Sequence, residues 1–351
     1  MRVETVMLGP DTDQYAGDGI QQASLSDIAQ AARRLEALGF DGITAPEAGH
    51  DPYLPLAIAS EHTSRVTLGT NVAIAFPRSP MITAQLAWDL QHYSTGRFRL
   101  GIGTQVKPHV TRRYAADWTG PPGPRMREYI LCLKAIFASF QTGAAPDFRG
   151  EQYEFSLCPP FFNPGPIAHP EIPIQIAAVN PYMGRLAGEL CDGLRLHPIA
   201  TFRFTREVLV PAIAAGAEKS GRKPEAVDLI GAPFLVVARN DEEMEQARRD
   251  LKQHIAFYAS TPTYHSVLEF HDWMEAAEAL HRLSREGRWK DMPDVITDAM
   301  LDEWAVIATA DEFTDRVRER CAGLFSTVLL DLPGSLRADD DWVRETVAAL
   351  K

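Results

Sequence analysis

The chain has 351 residues, with 47 acidic and 35 basic side chains and a net charge of −12; 45% of it is apolar and 23% charged. Binding to nucleic acid needs clustered lysine and arginine, and here adjacent basic residues form nothing larger than pairs such as Arg33-Arg34, Arg112-Arg113 and Arg248-Arg249. The acidity also argues against an anionic membrane surface, and no apolar run approaches the ~18 residues of a membrane span.

Short apolar runs alternate with helical patterns along the chain. Val3 to Leu8 reads as the first strand, followed by a polar, glycine-containing loop. From Ser24 to Leu38, apolar residues at 25, 28, 32, 35 and 38 line one helical face, and Gly39 is the expected stop. A second strand is read at Asp41 to Ala45 and a short helix at Pro52 to His62. Val66 to Phe76 (VTLGTNVAIAF) is apolar on both faces, the pattern of a buried parallel strand. Ser79-Pro80 marks a helix start, and that helix runs to about His92.

Strand four is Phe98 to Ile102, with a helix around Arg125 to Phe140 after the TGPPGP loop. Strand five is Pro173 to Ala178, followed by a helix at Met183 to Leu190, and strand six is Gly193 to His197. Helix Thr205 to Ser220 precedes strand seven, Leu229 to Ala238, and helix Glu242 to Phe257 follows it. Residues 262 to 308 read as several helices with no strand. A helix at Asp311 to Ala322, strand eight at Ser326 to Leu330 and a helix from Asp340 close the chain. Eight strand–helix repeats imply a parallel sheet with right-handed crossovers, closed into an α/β (β/α)8 TIM barrel. No linker divides it, so residues 1–351 read as one domain with a helical insertion at about 260–308 before the last strand.

In such a barrel the chemistry sits where the strands end. After strand two, Glu47 and His50 are a carboxylate and an imidazole three residues apart; they could bind a cofactor or move protons, or could simply border a solvated loop in which Asp51-Pro52 caps the next helix. Thr70 and Asn71 are polar inside an apolar strand, so Asn71 either satisfies a kinked backbone or faces a ligand. Strand four ends in Gly101, Gly103, Thr104 and Gln105, where glycine lets the backbone approach a ring or phosphate, though the third glycine of the dinucleotide fingerprint is missing. Strand five runs through Ala177, Ala178 and Val179 into a helix capped by Asn180, a geometry that serves an anion or an ordinary turn. His197 follows strand six. His265, Glu269, His271 and Asp272 lack metal-ligand spacing and read as a solvated helix face; no metal site is expected. Cys132, Cys158, Cys191 and Cys321 are scattered, and the N-terminus lacks a signal-peptide pattern, which together indicate the cytoplasm.

Three segments carry a resemblance: GFDGITAPE, RVTLGTNVAIAFPRSPMITAQLAWDLQHYSTGRFRLGIGTQ and IPIQIAAVNPYMGRLAGELCDGLRL. In this order they resemble the luciferase-like superfamily of flavin and deazaflavin oxidoreductases, over at least residues 30 to 200. The branch using coenzyme F420 looks closer than the FMN branch. That resemblance implies an acid near the deazaflavin ring at Glu47 and a non-proline cis peptide between Asn71 and Val72, backing the ring. It also implies phosphate contacts at Gly103, Thr104 and Gln105, with Ala177, Ala178, Val179 and Met183 opposite. Sugar-phosphate dehydrogenases of the branch carry a histidine directly after the acid and a glutamate past the glycine motif; here those positions hold Ala48 and Val106.

The resulting expectation is hydride transfer between F420 and a small organic substrate, with Glu47 or His50 moving the proton and Tyr53, Phe76 and Trp118 lining an apolar mouth. An FMN-dependent monooxygenase using reduced flavin and oxygen, and a non-catalytic flavin-binding protein, are the alternatives. The resemblance further implies a homodimer through the helices after strands two and three, across Leu56, Ala57, Ile58, Leu86, Ala87 and Leu90.

Overall fold

The computed structural model describes residues 1–7 and 24–351; the end of the first predicted strand at Leu8 and the loop after it lie outside the described residues. Eight parallel strands close on themselves: β1 Arg2–Val6, β2 Gly42–Ala45, β3 Thr67–Thr70, β4 Phe98–Gly103, β5 Ile174–Ala178, β6 Gly193–Leu196, β7 Asp228–Gly231 and β8 Thr327–Leu330. Each pairs with its chain neighbour, and β1 with β8 completes the ring. The surrounding helices are α1 Ile28–Ala37, α2 Tyr53–His62, α3 Pro80–Tyr93, α4 Pro122–Thr142, α5 Pro181–Leu190, α6 Val210–Lys219, α7 Asp241–Ala259, α8 Met274–Arg285, α9 Phe313–Cys321 and α10 Asp340–Leu350. Their apolar faces meet the outside of the barrel, where Ile28, Leu56, Trp88, Tyr129 and Leu133 are buried. Full burial of each aliphatic side chain contributes about 1.5–3 kcal/mol.

Four expectations are corrected. Leu25 precedes α1 and is exposed, because the helix begins only at Ile28 after a turn. The run from Val66 to Phe76 is not one strand: β3 stops at Thr70, and Ala73–Ile74 resumes the pairing on β4. The predicted seventh strand is two. A Cβ on Gly231 would overlap the Phe325 ring, and Pro233 has no N–H for the ladder, so the chain leaves the barrel there. Phe234–Ala238 then pairs in parallel with Ala305–Thr309, which puts a strand inside a stretch expected to be helical.

This strand pair and the inserted helices build a second core around Phe234, Leu251, Ile255, Leu280 and Trp304. Two hydrogen bonds latch it to the loop after β6. Trp304 Nε1 donates to the Ile199 carbonyl (2.6 Å), and Thr201 Oγ1 pairs with His271 Nε2 (2.7 Å).

Inside the barrel, Arg195 of β6 is buried with Glu4 of β1 and Gln175 of β5. Its Nε donates to Gln175 Oε1 (2.7 Å) and its Nη1 to Glu4 Oε2 (3.0 Å). A buried charge is tolerated only when paired in this way. The four cysteines are free, and burial pushes the Cys191 and Cys321 thiols up to about 12, so neither is a reactive thiolate.

Candidate active site at the barrel mouth

The strands are parallel, so their C-terminal ends share one mouth, and β3 is interrupted there. The Asn71–Val72 peptide is cis, as expected. Thr70 Oγ1 donates to the Gly101 carbonyl (2.5 Å) and accepts from the Gly101 amide (2.9 Å), which pins the interruption to β4. Gly103 permits the closest approach: a Cβ there would come within 2.8 Å of Val72 Cγ2 and 3.5 Å of Ala177 Cβ. Three of the residues expected to hold a cofactor, on three different strands or their extensions, thus converge on one small-residue cradle.

Glu47 secures the same point. Its side chain is 4% exposed, yet both oxygens are engaged. Oε2 accepts from the Ile74 amide (2.7 Å), just past the interruption, and from Arg78 Nη1 (2.7 Å). Oε1 accepts from the Tyr114 hydroxyl (2.9 Å). Arg78 extends the network, its Nη2 donating to Asp51 Oδ2 (3.1 Å) while the guanidinium lies over the Tyr53 ring. Burial alone would weaken the charge on Arg78, but its hydrogen bond and ion pair with Glu47 outweigh that and raise its pKa. Burial and the neighbouring Glu47 push the Tyr114 phenol up to about 12, so it keeps its proton. Arg113 stacks over Tyr114 and bonds the Ala48 carbonyl, closing this side of the mouth.

The other predicted residues are distributed around this centre. His50 is exposed and borders a cleft with Leu25, Ile28 and Leu54, apart from the Glu47 hydrogen bonds. Asp51 does cap α2, accepting from the amides of Tyr53 (2.8 Å) and Leu54 (3.3 Å). Thr104 stands half-buried at the rim, and Gln105 turns the loop in the left-handed region (φ 58°) while its own side chain accepts from the Val106 amide. Ala178 and Met183 are buried; Ala177 and Val179 are partly open. At the start of α5, Pro181 has no N–H and Asn180 Oδ1 accepts from the Met183 amide (3.0 Å). Phe76 and Tyr53, expected to line an apolar mouth, belong instead to the buried core, with Trp118 edge-on to Phe76 (5.7 Å). No group of three metal-ligating side chains occurs among the described residues.

Sequence reasoning missed Arg78 and Tyr114. Arg78 carries one local signal, a charged residue just before the Ser79 cap in an otherwise apolar stretch. Tyr114 carries none, because 67 residues separate it from Glu47.

A family model for luciferase-like monooxygenases matches residues 6–327. The chain belongs to the luciferase-like monooxygenase family. An uncharacterized protein of Mycobacterium tuberculosis is 43% identical over 312 residues, covering 89% of this chain and 92% of the relative. The 5,10-methylenetetrahydromethanopterin reductase of Archaeoglobus fulgidus is 32% identical over 294 residues, covering 81% of this chain and 82% of that protein. Among solved structures, the coenzyme F420 dependent tetrahydromethanopterin reductase from Methanopyrus kandleri shares the fold, with a TM-score of 0.74 at 20% identity over 99% of this chain and 98% of that one. The luciferase-like barrel thus extends over nearly the whole chain, and the cradle and the Glu47 network occupy its mouth.

Proposed function

We propose that this chain is a coenzyme F420-dependent oxidoreductase, passing a hydride between the deazaflavin and a small organic substrate at the barrel mouth. The observation that carries this reading is the cradle of Val72, Gly103 and Ala177, tied through the Ile74 amide to the buried Glu47 carboxylate. A flat ring fits against such small side chains, and a larger residue at Gly103 would close the cradle. The 32% identity to a reductase of Archaeoglobus fulgidus supports the same cofactor class, since the Methanopyrus kandleri reductase is named for F420.

Bound there, the deazaflavin would supply or accept a hydride at its central ring. The chain's own residues do the rest. Val72 backs the ring, and Glu47 holds the interruption of β3 in place. The loops at Gly103 to Gln105 and Ala177 to Val179 receive the phosphate end. Tyr114 keeps its proton and commits it to Glu47 Oε1, which holds the carboxylate in place. The reading gives His50 no contact with this cluster. Ala48 and Val106, in place of an acid–base pair, turn the site away from sugar phosphates.

We also infer a reducing compartment, from four free cysteines, and a homodimer through the outer face of α2 and α3. Leu56, Ala87 and Leu90 belong to the core, so that face would rest on Ile58, Leu86 and the exposed Ile82 and Tyr93.

Titration of the full chain with F420 and, separately, FMN, followed by fluorescence quenching, tests the assignment. Tighter F420 binding that weakens in Glu47→Ala supports it. A preference for FMN together with oxygen consumption overturns it in favour of the monooxygenase reading, and binding of neither cofactor overturns it outright.

A further inference from the structure

Across the barrel from Glu47, at the end of β6, stands a wall of a different kind. His197 is stacked on Tyr264 (4.8 Å between centroids, 28° between planes) and meets the edge of Tyr258 (4.5 Å, 82°). Tyr258 lies at the end of α7 and packs on His254, which in turn meets Phe234 of the outer strand pair. His197, Tyr258 and Tyr264 are largely enclosed but keep some exposed surface. Tyr258 and Tyr264 pack against the second core, as does Val179 of the loop after β5, so the wall and that loop share one apolar support.

The imidazole has a defined tautomer. The Ile199 amide donates to His197 Nδ1 (3.2 Å), so the neutral ring carries its hydrogen on Nε2 and offers one donor. Burial, helped by the nearby His254, lowers its pKa to about 3, and burial raises those of Tyr258 and Tyr264. Among the described residues, the guanidinium–ring contacts fall on other rings, such as Tyr53, Tyr114 and Phe76, and none on this wall. The three rings of the wall are neutral and aromatic, with the His197 Nε2–H and the two phenol hydroxyls as their hydrogen-bond donors.

We propose that His197, Tyr258 and Tyr264 form the substrate-binding wall, and that it takes a neutral planar carbonyl compound whose oxygen accepts a hydrogen bond from His197 Nε2. This deepens the oxidoreductase reading by naming its substrate class and rests on that reading for the reaction, though not for the binding. A carboxylate or phosphate is disfavoured because burying it here would leave its charge unpaired. A neutral carbonyl conjugated to a ring stacks on Tyr264 and accepts from His197 Nε2.

The test compares two probes of nearly equal size, acetophenone and benzoate, binding to the full chain with and without F420. The observables are the resonances of His197 in a nitrogen-15 histidine-labelled sample. The expected spectrum shows a neutral Nε2–H tautomer that does not titrate between pH 5 and 8. Acetophenone should shift the His197 signals and bind at least about tenfold tighter than benzoate. His197→Phe keeps the packing and should weaken acetophenone about fivefold to tenfold, the scale of one lost hydrogen bond. His197→Gln, which retains a donor near the same place, should recover most of that loss. Equal or tighter binding of benzoate, an imidazole that titrates near neutrality, acetophenone binding unchanged in His197→Phe, or no acetophenone binding with F420 present would each overturn the proposal. Loss of the cofactor assignment is read separately, as failure to bind F420 while acetophenone still binds to the chain alone.

Discussion

The two sides of the barrel mouth solve the burial of polar groups in opposite ways. On the β2–β4 side, charge is kept and paired: Glu47, Arg78 and Asp51 are ionic partners and Tyr114 completes the shell of Glu47. On the β6 side, charge is given up: His197 sits neutral among tyrosines, its Nδ1 committed to a backbone amide. Paired charges give a rigid, directional surface suited to holding a fixed group. An uncharged aromatic surface gives area and tolerance, suited to a small molecule that must come and go. The division of one mouth into a charged and an uncharged half follows from where the charges can be compensated.

The largest change that breaks this contrast is Arg78→Met. It leaves the Glu47 carboxylate buried without its cation, and unfolding in urea should show a loss of about 3–5 kcal/mol. F420 affinity should fall with it, because Glu47 would release the Ile74 amide. A smaller effect is expected from Gly103→Ala. The added methyl meets Val72 Cγ2, and relieving that contact costs about 1–3 kcal/mol, read as a lower melting temperature and weaker F420 quenching.

The neutral side is exposed by acid. His197 has a folded pKa of about 3 against an ordinary 6.5, so the unfolded chain binds a proton that the folded chain refuses. Stability is therefore complete above pH 6.5 and declines as pH falls toward 3, by at most about 1.4 kcal/mol per pH unit for this group. His271, lowered to about 4 mainly by burial, adds to the loss in the same direction. Denaturation curves between pH 7 and 4.5 should be flatter for His197→Phe than for the parent; parallel curves would show that His197 charges freely in the fold. The smallest effect sharpens the charged side. Tyr114→Phe removes one hydrogen bond from Glu47, worth about 0.5–1.5 kcal/mol, and should lower kcat more than it raises KM for the cofactor.

Much of the frame was legible in the chain itself, for local reasons. Ser79-Pro80 and Asn180-Pro181 announce helix starts, and both side chains do cap, accepting from the amides of Ile82 and Met183. The glycine-rich end of β4 and the acid after β2 were also readable, because both lie next to the strand ends where a barrel does its chemistry. Pairings across long separations were not. Arg78 meets Glu47 across 31 residues and Arg195 meets Glu4 across 191, and no periodicity carries that information. The split of the seventh strand was signalled locally by Pro233 inside the apolar run Leu229 to Ala238, while the Phe325 ring against Gly231 is visible only in the fold.

By itself the sequence determined the alternation of strand and helix, the parallel closure, and the strand ends at which small and acidic residues collect. These depend on spacing, capping and hydrophobic pattern, which act between near neighbours. Tertiary structure alone decided that Val72, Gly103 and Ala177 share one cradle, that Arg78 and Tyr114 enclose Glu47, and that His197 is neutral. Each of these depends on desolvation and on partners delivered by other strands, and neither exists until the barrel has closed.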